Sequence, residues 1–365
     1  MSTRIQVAFF CVVAAAAAIA PRAQPRPAIA NVLVVTMDGM RWQEVFGGLQ
    51  SALLTKEAGG VEEPEPIERR FGGGTAEQRR EKLMPFFWTI VAHDGQLFGD
   101  PSRGSLARVT NGLWFSYPGY NELLAGYPDP RIDSNDKNLN PNVTVLEWLN
   151  HRPAYAGRVA AFASWELLPW ILNAQRSGIA CNGEGPPIAQ PATERERALN
   201  DFAAELPPYW GATRFDAPTG LGALEYLRSH HPRVLYVMLG ETDEWAHGRR
   251  YDLYLDSAYR NDRFIRQLWE TAQRMPEYAG RTALLLATDH GRGDGAADWT
   301  DHGRKVPAAE RIWMAAMGPG VPALGVRANV TVTQSQLAAT VAALLGEDYV
   351  AAQPKAALTL PIANR

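Results

Sequence analysis

Six acidic and imidazole side chains stand just past apolar runs of this chain. Asp38 follows "NVLVVTM" at 31–37, Asp243 and His247 follow "RVLYVML" at 233–239, and Asp289 and His290 follow "TALLLAT" at 282–288. His302 lies beyond a Gly-rich loop, in a second Asp-His pair with Asp301. The chain has seven histidines, and three of them fall in this set. Taken singly, each residue is weak evidence. An Asp after a strand usually turns the chain or caps a helix. Asp243 and His247, four apart, share a helix face whether or not they bind anything. Jointly, the six make two sets of three N/O ligands, a donor set that suits zinc and would also accept Mn2+ or Fe. The other histidines, His93, His151, His230 and His231, fall in helical patterns and read as surface or core residues.

Hydrolysis at two metals also requires a nucleophile. Ser116 precedes Pro118, and "GYNELLAG" reads as a short helix. Proline is favoured at a helix start, so Ser116 is expected at a helix N-terminus. Free N–H groups and the helix dipole there can hold a phosphoryl oxygen. A serine in that place is often only a cap. Beside zinc, its hydroxyl loses the proton more readily and becomes a nucleophile.

The apolar runs must position these groups. Those at 31–37, 158–164, 233–239, 282–288 and 311–318 read as strands buried on both faces. Helical patterns cover 84–95, 144–151, 221–231, 249–275 and 333–346. The alternation predicts an α/β fold: a mostly parallel central sheet, helices on both faces, and ligands bound beyond the carboxyl ends of the strands. Two stretches, 55–82 and 182–219, are Gly- and Pro-rich and read as surface insertions or a small cap. One domain is expected from residue 24 to 365.

Apolar residues make up 46% and charged residues 21%, as in a folded globular protein, and the net charge of −3 gives no basic excess for a nucleic acid. Residues 1–23 have the layout of a secretory leader: Arg4, then "IQVAFFCVVAAAAAIA", then small residues for cleavage after Ala20 or Ala23. The run is short for a membrane anchor, the competing reading. Cleavage would leave a mildly acidic, exported protein, periplasmic or extracellular, with no stable membrane span. Cys181 would then be its sole cysteine, in a setting that suggests no lowered pKa. Nothing in the sequence sets an oligomeric state.

In order along the chain, "TMDGMRW", "SYPGYNELLAGYPD", "ETDEWAH", "TDHG" and a final "HG" at 302–303 resemble the alkaline phosphatase superfamily, in particular its type I phosphodiesterase/nucleotide pyrophosphatase branch. The resemblance implies a fold of that kind and two zinc ions. One would be held by Asp38, Asp289 and His290 with Ser116 beside it, the other by Asp243, His247 and His302. Asp301 would be a neighbour only. It implies attack by Ser116, a phosphoserine intermediate, and its hydrolysis by water. Asn135 falls where the diesterase branch uses an Asn to hold a non-bridging oxygen, with Asn111 and Asn121 as rivals. No Arg adjoins Ser116; Arg41, Arg103, Arg108 and Arg131 are more distant. Tyr120 stands where a sulfatase would carry Arg. The expected activity is hydrolysis of small-molecule phosphate esters, with diesters favoured. The alternatives are a phosphomonoesterase, a phosphonate-ester hydrolase, or a non-catalytic protein whose metals only hold a ligand.

Overall fold

The structure is a computed structural model, and residues 29–362 are described here. The expected leader and its cleavage point lie outside the described residues. Among those described, no helix is long and apolar enough to cross a membrane.

Among the described residues eleven strands form: β1 Asn31–Met37, β2 Gly95–Phe98, β3 Ser105–Arg108, β4 Val159–Ala163, β5 Ala180–Asn182, β6 Val234–Leu239, β7 Thr282–Ala287, β8 Arg311–Ile312, β9 Met314–Met317, β10 Gly325–Val326 and β11 Val330–Thr333. Eight make one sheet in the order β10-β2-β9-β7-β1-β6-β4-β5. Only β9 runs against its neighbours there, so the sheet is mostly parallel, as expected. A second sheet holds β11-β3-β8.

Every residue of β1, β6 and β7 is buried. Successive side chains in a strand face opposite ways. Leu33, Val35 and Met37 therefore enter one core, while Val32 and Val34 enter the other. Helices Asp216–His230 and Tyr251–Arg274 cover the first face; Ser116–Ala125, Val145–Asn150 and Gln336–Leu344 cover the second.

Two expectations need correction. The run 311–318 is not one strand. It breaks at the buried Trp313, whose indole N–H donates to Met40 O at 3.0 Å, and the chain passes from the small sheet to the large one. The pattern at 84–95 holds helical turns only to Asp94, and Gly95 opens β2. A Cβ on Gly95 would stand 2.3 Å from Ala316 O, so the close pairing with β9 requires glycine. The insertion at 55–82 is largely helical, with Lys56–Gly59, Pro64–Phe71 and Ala76–Leu83. The one at 182–219 keeps a single internal helix, Glu194–Ala204, before the next begins at Asp216.

The bystander residues lie apart. His93 pairs with Asp94, His230 stacks on Tyr226, and His231 pairs with Glu277. Burial pushes the Cys181 thiol up to about 12, so it is mostly unionised at neutral pH and a poor nucleophile.

Candidate active site

Parallel register brings the strand ends to one edge. Met37 pairs with Leu239, and Thr36 pairs with Ala287. The residues that follow β1, β6 and β7 thus emerge side by side. Gly39, at φ +57°, turns the chain after Asp38 and donates its N–H to Asp289 Oδ1 at 3.0 Å. Asp38 Oδ2 accepts from the Tyr120 hydroxyl at 2.9 Å. Each carboxylate keeps one buried oxygen without a partner, Asp38 Oδ1 and Asp289 Oδ2. Both lie 3.4 Å from His290 Nε2. His290 Nδ1 donates to Gly291 O at 2.9 Å, which leaves Nε2 with its lone pair. Two orphaned oxygens and one free nitrogen therefore converge in the interior. That donor set fits a divalent cation.

A second cluster adjoins it. Asp243 Oδ2 is 3.2 Å from His247 Nε2, which is 3.0 Å from His302 Nε2. Asp243, His290 and His302 also have donor atoms within 4.8 Å of one another. His290 has only one free nitrogen, and it is nearer to the oxygens of Asp38 and Asp289 than to Asp243 Oδ1 at 3.7 Å. It therefore belongs with Asp38 and Asp289, and Asp243, His247 and His302 remain together. Asp301 is exposed and enters neither cluster.

The electrostatics favour a cation. Burial, and then the nearby Asp243 charge, raise the Asp38 carboxyl well above its ordinary range. Burial and Asp38 do the same to Asp289. Asp243 also loses solvation by partial burial, but the Arg292 guanidinium and His247 outweigh that cost and hold it well below the ordinary range. Burial, and then His290, push His302 well below an ordinary imidazole, so it is neutral and able to ligate.

Ser116 begins the helix Ser116–Ala125. Its Oγ is 3.3 Å from His290 Nε2. The approach to it is rigid. Asn111 Oδ1 accepts from the N–H groups of Leu113 and Trp114, and Trp114 is held at φ +56°. The buried Glu122 accepts from the N–H groups of Thr110 and Asn111. Gly119 lets the helix lie on the β7 end: a Cβ there would stand 2.5 Å from Asp289 O. Gly119→Ala must therefore move Ser116 away from His290. We expect kcat to fall by about tenfold to a hundredfold while bound metal, read by mass spectrometry, is retained.

Asn135 and Ser116 both line a cavity of about 90 Å3, together with Asp38, Asp243, His247 and His302. Asn135 Oδ1 accepts from Tyr117 N–H at 2.9 Å, so its NH2 group is not spent on that bond. The array of free helix N–H groups expected around Ser116 is correspondingly smaller, because Tyr117 N–H is taken and Pro118 has none. The rival Asn121 is fully buried and bonded to Tyr127 O, Asn140 and Asn142. Asn111 Oδ1 is spent on its turn; its NH2 group has no partner, but the residue does not line the cavity.

None of the four arginines considered from sequence lines this cavity. Arg41 pairs with the buried Glu44, and Arg131 with Asp129. Arg103 stands near Asp100, and Arg108 lies in β3. The arginine that matters is Arg292, which sequence reasoning missed although it follows "DHG" directly. It is buried, pairs with Asp243, and donates to the carbonyls of Gly39 and Thr300. Tyr120, four residues past Ser116 on the same helix, is the other missed partner, and that spacing was a usable signal.

No protein-family profile matches the chain, and no curated protein does. Solved structures do match. The alkaline phosphatase PafA superposes with a TM-score of 0.53 at 11% identity, over 89% of this chain and 97% of that one. The lipoteichoic acid synthase LtaP from Listeria monocytogenes gives 0.53 at 9%, over 87% and 72%. BT1596, a 2-O GAG sulfatase, gives 0.50 at 14%, over 92% and 73%. At such identities the likeness is one of fold, and the fold of this chain is that of the alkaline phosphatase superfamily.

Proposed function

We propose that the protein is an exported, zinc-dependent hydrolase of small-molecule phosphate esters that acts through a phosphoserine and favours diesters. One observation carries this reading: Ser116 Oγ lies 3.3 Å from a histidine nitrogen that faces two orphaned, buried carboxylate oxygens. A structural metal site has no need of a hydroxyl so placed. Asp38, Asp289 and His290 would hold one ion beside Ser116, and Asp243, His247 and His302 the other. Such ions supply positive charge that acidifies the serine hydroxyl and neutralises oxygens that gain charge in the reaction.

The chain's own groups do the rest. The Asn111 turn and the Glu122 carboxylate fix the approach to Ser116, so that Oγ is aimed before substrate arrives. Oγ attacks phosphorus, the leaving alcohol departs, and water then cleaves the phosphoserine. The Asn135 NH2 group would hold a non-bridging oxygen, while its Oδ1 is fixed by Tyr117. Arg292 and Tyr120 orient Asp243 and Asp38. The preference for diesters rests on charge. The cavity has no free guanidinium to meet the second negative charge of a monoester, because Arg292 is committed to Asp243 and carbonyl oxygens. The leader at 1–23 and its small-residue cleavage point support export.

The direct test is to assay zinc-loaded protein on matched aryl phosphate monoester, diester and sulfate ester. We expect the diester to be turned over with the highest kcat/KM. Faster monoester turnover would refute the charge argument. Retention of two metals with no turnover on any ester would favour the non-catalytic alternative.

A further inference from the structure

The insertion at 182–219 supplies neither Ser116 nor any candidate ligand, yet it encloses the larger cavity beside the site. This cavity, of about 570 Å3, meets the 90 Å3 site cavity at Thr213, which lines both. Thr213 Cγ2 also packs 2.9 Å from where a Cβ on Gly240 would stand, at the end of β6. The walls are flat and rigid: Pro186, Pro187, Pro207, Pro208, Tyr209 and Trp210. Trp210 is braced edge-on by Phe215, with ring centroids 5.0 Å apart, and by Trp245, at 4.7 Å. Trp245 belongs to the helix Glu241–His247 that carries Asp243 and His247. The wall and the metal-ligand helix therefore pack as one unit.

The acidic residues of this cavity share one lysine. Lys137 lies 2.9 Å from Glu166 and 3.9 Å from Glu184, the two acidic residues of the lining. Arg214 donates to the carbonyls of Asn182 and Gly183 and so ties the wall to the floor. Arg214 has no carboxylate partner among the described residues, and its Nη1 is buried and unpartnered. Proline and tryptophan faces in contact with the phosphoryl cavity suit an apolar ring.

We propose that this cavity is the subsite for one organic group of the ester, and that it selects aromatic or cyclic alcohols. The proposal rests on the hydrolase reading for its role and on the cavity alone for its binding. The two are therefore tested separately. 1-Naphthol, as the free alcohol, is titrated calorimetrically into the full chain with its metals removed. Wild type is compared with Ala203→Trp, which fills the cavity, and Trp210→Ala, which removes its wall. In parallel, zinc-loaded proteins are assayed on methyl 1-naphthyl phosphate and methyl phenyl phosphate.

We expect naphthol to bind the wild type and to bind each variant about tenfold or more weakly. The ratio of kcat/KM for naphthyl over phenyl ester should fall in step. No binding to the wild type, or equal binding to wild type and both variants, would overturn the proposal. If Ala203→Trp fails to fold, Trp210→Ala decides alone. Variant-sensitive naphthol binding with no turnover of any ester would uphold the subsite and sink the hydrolase reading. Turnover without naphthol binding would do the reverse.

Discussion

Ser116→Ala should lower kcat on phosphate esters by at least about a thousandfold while leaving the metal content unchanged. The substitution removes one hydroxyl and little else. The helix start does not depend on it, since the preceding loop is held by Asn111 and Glu122. Both ligand clusters survive, because their atoms belong to other residues. A large loss in kcat with full metal therefore isolates the nucleophile. Acid quench of wild type during turnover should trap one phosphoryl group on the peptide that contains Ser116. If Ser116→Ala stays within about tenfold of wild type, water attacks directly and Ser116 is a cap.

Stripping the metals should destabilise the protein, and the loss should grow with pH. Without a cation, Asp38 and Asp289 face each other across a buried space, with His290 as their shared neighbour. At separations of this order, two such charges repel by roughly 3 kcal/mol at an effective dielectric of about 20. Both carboxyls have folded pKa values above the ordinary 3.8, so the folded metal-free protein retains protons that the unfolded chain releases. Stability is full below that ordinary value and is lost as pH rises towards the raised folded values. Metal binding has the opposite dependence, because ligation displaces those protons, so affinity rises with pH. Asp38→Asn separates the two effects: we expect it to raise the Tm of the metal-free protein at pH 8 by a few degrees and to lower that of the zinc-loaded protein. A metal-free Tm that does not change with pH, or that falls in Asp38→Asn, would refute this account of the cluster.

The site was more legible in the sequence than the rims of the fold. Asp38, Asp243, Asp289 and their histidines follow buried parallel strands, and parallel register has little choice but to deliver them to one edge. The strands themselves were plain because burial on both faces demands unbroken apolar runs. Short edge elements carry no such demand. β2 is four residues long and follows directly on a helical turn, so periodicity assigned its start to the helix. β8 and β9 belong to different sheets, although a single apolar run spells them both. Arg292 was hidden for another reason. Its placement comes from burial against Asp243 and Gly39, which are distant in sequence, and no local pattern encodes that.

The position of β1 bears on how the chain is made. It is synthesised early, yet it lies between β6 and β7, strands that begin at residues 234 and 282. At typical synthesis rates of about 5–20 residues per second, its five apolar residues wait on the order of tens of seconds for both neighbours. An apolar strand with two open edges is a hazard in that interval. The edge that carries the candidate ligands cannot close until β7 and the loop beyond it have emerged, so the central sheet assembles late and through contacts remote in sequence. Such a chain is expected to fold slowly and to depend on protection of its first strand until then.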